Sequence, residues 1–255
     1  MRHALVLLVA VSSSFFCVLA HAQTAEELVN KNTQAKGGIK KIKAIQSLRV
    51  TGKYQGGGGF TATISQMNVR PNLVRETLTL QGMTAVQAYD GTTGWQIEPF
   101  QGHKDPELMG EDDLRDLVLD ADFDGPLIDY KEKGNTIEYL GHDQVDGDDA
   151  LRLKVTLKNG DIIYYYLDPD TDLEIRKEIQ QTIRGAVRTR IVDLGSYKPV
   201  AGVMYPYSIA VGSKSSPGTQ VYTAQKVEAN VTVDHAEFAL PASLKAAVKP
   251  VAENK

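Results

Sequence analysis

The chain has one cysteine in 255 residues, Cys17, and it falls inside the N-terminal apolar run. Beyond that run there is no thiol for an internal disulfide or a Cys-ligated metal site. Histidine is scarce too. Beyond residue 22 only His103, His142 and His235 remain, far apart and without ligand spacing such as H-x-x-x-H. No G-x-S-x-G or comparable nucleophile motif occurs, and no serine has a motif-placed base beside it. Positive charge is not in excess. There are 28 Lys and Arg against 32 Asp and Glu, a formal net charge of −4, and a mildly acidic chain is a poor nucleic-acid binder. No metal, no cofactor and no catalytic cluster is expected, so the reading is non-enzymatic.

What is present begins with a leader. Arg2 supplies a positive n-region, and Ala4 to Leu19 is apolar apart from Ser12, Ser13 and Ser14. Ala20-His21-Ala22 offers the small-x-small pattern of a signal-peptidase site, with cleavage expected after Ala22. The run is short and Ser-rich for a membrane span of ~20 residues. Phe15 and Phe16 stand where a lipidated cysteine would need small residues. Residues 1–22 are therefore read as a cleaved signal peptide and the rest as an exported, periplasmic chain. Residues 23–244 are read as one domain, because an all-β fold of this size is often single. The Ala-, Lys- and Pro-containing tail, 245–255, is expected to be loose.

Thr24-Ala25-Glu26-Glu27 reads as a capping box. Leu28, Asn32, Ala35 and Ile39 follow at helical spacing, and Gly37-Gly38 is the stop signal. After Ser47 the period changes to two. Strands are expected from Leu48, over Phe60–Val69, Leu73–Leu80 and Ala85–Tyr89, and around Trp95-Gln96-Ile97. Phe100 to Pro106 reads as loop. Glu111-Asp112-Asp113 suits a helix start, and Leu114, Leu117, Val118 and Ala121 form one apolar stripe. Gly125-Pro126 is expected to stop that helix, and residues 99–133 become a candidate lid. Leu151 to Lys158 alternates strictly, and Asn159-Gly160 is a hairpin signal. Further strands are expected at Ile162–Leu167, Leu173–Gln180, Arg188–Leu194, Tyr205–Val211 and Val221–Val233. The expectation is about ten antiparallel strands with one apolar face. Such a sheet must curl, and helices lying across it would cover that face over a cavity.

Several motifs invite chemistry and do not hold it. Asp120-Ala121-Asp122-Phe123-Asp124-Gly125 opens like a calcium loop, but the closing twelfth position is Lys131 and Pro126 follows the Gly. Asp168, Asp170 and Asp172 read as turn residues. Gly56 to Gly59 has neither the Lys-Ser/Thr nor the helix of a phosphate loop. Export, a curled sheet and no catalytic cluster leave the binding of something apolar as the default.

Arg70-Pro71-Asn72-Leu73, then Asp90-Gly91, Trp95 and Pro99-Phe100, and the closing Val233-Asp234-His235-Ala236-Glu237-Phe238 with Pro241, resemble the outer-membrane lipoprotein-sorting carriers (LolA-like). The resemblance spans nearly all of the chain after the leader. It implies a half-open antiparallel β barrel covered by helices, mainly β with some α, and a cavity for the acyl chains of lipoproteins or of another lipid. It also implies an inner-membrane ABC transporter and an outer-membrane acceptor as partners, and a monomer. Exposing a long acyl chain to water costs on the order of 10 kcal/mol, at ~0.8 kcal/mol per CH₂. Arg70 matches the family's latch arginine, which bonds backbone carbonyls of the lid. Trp95, Phe100, Leu114, Leu117, Val118 and Phe123 are the expected cavity and lid residues. Val74 replaces the family's aromatic residue four places after that arginine. The chain is also longer and its centre more acidic than in typical members. A sensing or scaffolding protein on the same fold is the alternative.

Overall fold

The computed structural model describes residues 23–247. The leader and most of the tail lie outside the described residues. Helices α1 (Ala25–Ala35) and α2 (Ile39–Ala44) precede six strands. These are β1 (Ser47–Gln55), β2 (Thr61–Val69), β3 (Leu73–Leu80), β4 (Met83–Tyr89), β5 (Gly94–Glu98) and β6 (His103–Leu108). Helix α3 (Glu111–Ala121) follows. Then come β7 (Thr136–Val145), β8 (Asp148–Thr156), β9 (Ile162–Leu167), β10 (Glu174–Ile183) and β11 (Ala186–Gly195). The chain ends with β12 (Lys198–Val200), β13 (Val203–Tyr205), β14 (Ser208–Ser213) and β15 (Ser216–Ala229).

Thirteen strands form one antiparallel sheet in the order β6-β5-β4-β3-β2-β1-β15-β14-β11-β10-β9-β8-β7, and β12 and β13 make a separate ribbon. The sheet does not close, so β6 and β7 are its edges. Its curl follows from one helix touching distant strands. Six steps separate β3 from β10, which is roughly 29 Å if flat. Yet Leu117 of α3 shares a core cluster with Val74 of β3, while Arg115 of the same helix donates to the Thr182 carbonyl of β10 at 2.8 Å. A helix ~10–12 Å across can meet both only if the sheet bends around it.

Local chemistry explains the helices. Thr24 Oγ1 accepts from the Glu27 N–H at 3.2 Å, and Glu27 Oε2 accepts from the Thr24 N–H at 2.9 Å, completing the capping box. Leu28 and Val29 bury the inner side of α1 against Leu151, Leu153, Val155, Ile163 and Leu167. At Gly37 a Cβ would sit 2.2 Å from the Gly202 carbonyl oxygen, so only glycine lets the β12–β13 turn approach. On the opposite face of the sheet, residues 231–244 pack over β2 to β5. Phe238 is buried with Met67 and Val69, and Leu240 and Leu244 lie beside Trp95.

Three expectations change. His103–Leu108 is strand rather than loop: it is a sheet edge, where Pro106 costs no ladder bond. Thr136–Val145 is a strand the sequence reading passed over, and the sheet has thirteen strands rather than about ten. Helix α3 ends at Ala121, before Gly125-Pro126. Among the described residues no helix is long and apolar enough to cross a membrane.

Candidate functional site

The stretch from Met109 to Asn135, including α3, links the two sheet edges, and ionic groups fasten it at both ends. At the C-terminal end Arg70 is the fastener. Its Nε donates to the Ile45 carbonyl at 2.7 Å and Nη2 to the Ile42 carbonyl at 3.0 Å. Nη1 and Nη2 also hold Asp124 bidentately, at 2.8 and 2.5 Å. The guanidinium lies over the Phe123 ring, 4.4 Å from its centroid. Lys43 Nζ adds a 2.5 Å bond to Asp124 and another to Asp129. Burial pushes the Asp124 carboxyl up, but the bonds from Arg70 and Lys43 outweigh it and hold it below the ordinary range. Arg70 thus ties the end of α2 to the loop after α3.

Helix α3 has three different sides. Leu114, Leu117 and Ala121 pack on Val74, Tyr89 and Met109. Leu114 sits so close to Gly94 that a Cβ there would be 2.3 Å from Leu114 Cδ1. A second side carries Arg115, Val118 and Leu119 and borders an open groove of about 350 Å³. Tyr89, Leu157 and Ile179 supply more of its apolar lining. Arg115 is paired with Asp161, and Lys133 with Asp122 at 2.5 Å, at the groove's rim. The volume is at the low end of small-molecule sites.

The third side carries acids at i, i+4 and i+8, namely Asp112, Asp116 and Asp120. They face cations of β10 and β11 and of the turn between them. Asp112 lies 3.5 Å from Arg184, and Asp116 lies 3.2 Å from Arg190 and 3.7 Å from Arg188. Below Asp116 and Asp120 the sheet presents a row of polar side chains in register: Gln96 opposite Gln87, Gln87 opposite Glu76, Glu76 opposite Gln66. Alternation puts this row on the same face as Val74 and Tyr89, which pack on α3. Asp120 is exposed to solvent, although desolvation by the protein around it still raises its carboxyl. Burial, with Asp120 and Asp116 nearby, pushes the Glu76 carboxyl up to about 8 against the pull of Arg190. Desolvation likewise lowers Lys177.

The expected site residues separate. Arg70 and Phe123 meet at the latch. Leu114 and Leu117 are packed beneath α3, and Val118 is exposed beside the groove. Phe100 is exposed in a 3-10 turn after β5. Trp95 was expected at the cavity wall, but it lies on the opposite face of the sheet. Neighbouring Gly94 faces α3, so alternation sends Trp95 away from it. There Trp95 is buried and its Nε1 donates to the Phe238 carbonyl at 3.1 Å. The sequence reading missed Lys43, Glu76 and Arg190, and it saw Asp124 as part of an acidic run rather than as the partner of Arg70. The acids of the calcium-like run take separate tasks: Asp120 faces Arg190 and Lys177, Asp122 pairs with Lys133 and Asp124 with Arg70.

No family model matches the sequence, and no curated protein matches it. Solved structures match in fold. A DUF1329-family protein of Desulfovibrio piger superposes with a TM-score of 0.60 at 12% identity, over 86% of this chain and 98% of that one. A LolA-superfamily protein of Nitrosomonas europaea gives 0.55 at 11%, over 86% and 99%. A candidate outer-membrane lipoprotein-sorting domain of Vibrio parahaemolyticus gives 0.56 at 11%, over 84% and 95%. The chain therefore shares the open half-barrel fold of LolA-superfamily and lipoprotein-sorting proteins.

Proposed function

We propose that this protein is a non-enzymatic carrier of the bacterial-type envelope that holds the acyl chain of a lipoprotein or lipid between α3 and the curled sheet. The observation that carries the reading is the stretch Met109–Asn135. It spans the gap between the two free sheet edges, borders the groove with Val118 and Leu119, and is fastened by Arg70 and Lys43 on Asp124. A few ionic contacts can be exchanged for water more easily than a continuous sheet can be opened, so this stretch serves as the lid. The fold neighbours include a candidate lipoprotein-sorting domain, which supports the same class. An envelope location agrees with the signal-type leader read from residues 1–22. Inner-membrane and outer-membrane partners would deliver and receive the cargo.

The test is native mass spectrometry and lipid extraction on protein purified from its own periplasm, followed by titration with a fluorescent acyl probe. The expected result is co-purifying lipid or acylated protein, and probe binding that weakens in Val118→Asp. A ligand-free mass together with no probe binding in the unaltered protein would end the carrier reading.

A further inference from the structure

We propose that the groove beside α3 takes a single long-chain carboxylate, with its apolar tail along the lid and its charged head at the β8–β9 turn. This rests on the carrier reading of the same groove and names the cargo's head and its number of chains.

The charges lining the groove do not cancel. Its cations are Arg115, Lys133 and Lys158, and its acids are Asp122 and Asp161. Both acids are already matched. Lys133 Nζ donates to the two oxygens of Asp122 at 2.5 and 2.7 Å, and to the Gly125 carbonyl at 2.8 Å. Lys133 and Asp122 therefore answer each other. The Asp161 side chain is 6% exposed, pairs with Arg115 and accepts from the Asn159 side chain at 3.0 Å. Lys158 is left over. Its Nζ makes no ion pair or hydrogen bond among the described residues, and its stem lies beside Gly134. Arg115 uses two of its five N–H donors, on Asp161 and on the Thr182 carbonyl. Lys158 and Asp161 share the β8–β9 turn, so the spare ammonium and the free donors of Arg115 border the groove from the same side.

Shape and charge select the occupant. Tyr89, Val118, Leu119, Leu157 and Ile179 give the groove an apolar wall, and Val118 is exposed beside it. Its volume of about 350 Å³ lies near the bottom of the ~300–1,000 Å³ range of small-molecule sites, which suits one chain and leaves no room for two or three. An ammonium head would meet an unanswered cation. A hydroxyl head would accept hydrogen bonds but bring no charge. A carboxylate brings one negative charge, with lone pairs for both the Lys158 ammonium and the free N–H groups of Arg115, and charge-assisted bonds of that kind are about twice as strong as neutral ones. A glycerophosphate head sets its charge several bonds beyond the chain, whereas these cations line the groove itself.

The experiment is displacement of the fluorescent acyl probe, at neutral pH and low salt, by decanoate, decanol and decylamine, which share one chain. The unaltered protein is compared with Lys158→Gln. Decanoate is expected to bind about tenfold tighter than the other two, and high salt should shrink that preference. Lys158→Gln should lower the affinity for decanoate about fivefold and leave decanol unchanged. Lys158 is exposed, so the substitution keeps the fold, and circular dichroism checks that it does. Didecanoyl phosphatidylglycerol should not compete, and decanoyl lysophosphatidylglycerol should compete less well than decanoate. Equal binding of decanoate and decanol, or a decanoate preference that Lys158→Gln leaves in place, would overturn the head site and leave the carrier reading standing. Tighter binding of the two-chain lipid would overturn the single chain, and tighter binding of the lysophospholipid would overturn the carboxylate. Binding of neither the probe nor any competitor would remove the carrier reading as well.

Discussion

Replacing Asp124 by Asn tests whether the latch holds the structure together. The Asp124 side chain is 6% exposed and accepts from Arg70, which is 17% exposed, and from Lys43, which is 39% exposed. The Lys43 contact is partly in water and contributes little. The bidentate Arg70 pair is enclosed, and hydrogen bonds to charged groups contribute ~1.5–3 kcal/mol each. Breaking an enclosed pair while leaving its partner in place costs ~3–5 kcal/mol. Arg70 keeps its bonds to the Ile42 and Ile45 carbonyls, so the lower end applies, about 3 kcal/mol. For a domain of this size that lowers Tm by roughly 6–12 °C. Urea unfolding of the unaltered protein, Asp124→Asn, Arg70→Gln and the double variant closes a cycle, with an expected coupling of ~1–3 kcal/mol. Acidity gives an independent readout. The folded pKa of Asp124 lies below its ordinary 3.8, so its contribution is present above that value and lost as pH falls through the lower folded value. Asp124→Asn should lack this part of the acid unfolding curve. A loss under about 0.5 kcal/mol with no coupling would refute the latch, since that is what an ordinary surface pair gives.

Other substitutions separate strong contacts from weak ones. Arg115→Ala, which removes bonds to Asp161 and the Thr182 carbonyl, should cost about 2 kcal/mol. Arg184→Ala should stay within ~0.5 kcal/mol, because Arg184 is 88% exposed in its pair with Asp112; urea midpoints compare the two. Gly52→Ala should cost at least ~1–3 kcal/mol by calorimetry, because its Cβ would lie 2.2 Å from the Thr223 carbonyl oxygen across the β1–β15 bulge. Trp95→Phe should cost ~1–2 kcal/mol by urea unfolding for the lost bond to the Phe238 carbonyl. The unaltered Trp95 emission should shift to the red when residues 235–247 are deleted.

Local signals were readable in the sequence and non-local ones were not. The capping box at Thr24 and the apolar stripe from Leu114 are written within one or two helical turns, and α1 and α3 stand where those signals put them. The strict alternation of Leu151–Lys158 likewise corresponds to β8. Trp95 was harder, because a five-residue strand does not say which face meets a helix and which meets the C-terminal segment. The row Gln66, Glu76, Gln87 and Gln96 exists only in the register of four strands. Each residue read alone is an ordinary polar position facing water. Asp124 was read with Asp120 and Asp122 as one acidic run, although its partner Arg70 is 54 residues away. His103–Leu108 lacked a strand pattern because an edge needs little apolar alternation.

The pairing of β1 with β15 governs how the molecule can be made. Leu48 sits opposite Ala229 in that pairing, so the centre of the sheet joins residues from near the two ends of the described chain. Before Ser216 to Ala229 has been synthesised, β1–β6 and β7–β11 with β14 are separate meanders, each with an unpaired inner strand. Contacts that distant in sequence slow folding, because loop closure must precede any gain from pairing. A chain translated from its N-terminus therefore carries exposed inner strand edges until β15 emerges. Interruption anywhere before β15 leaves two incomplete sheets rather than a shortened protein.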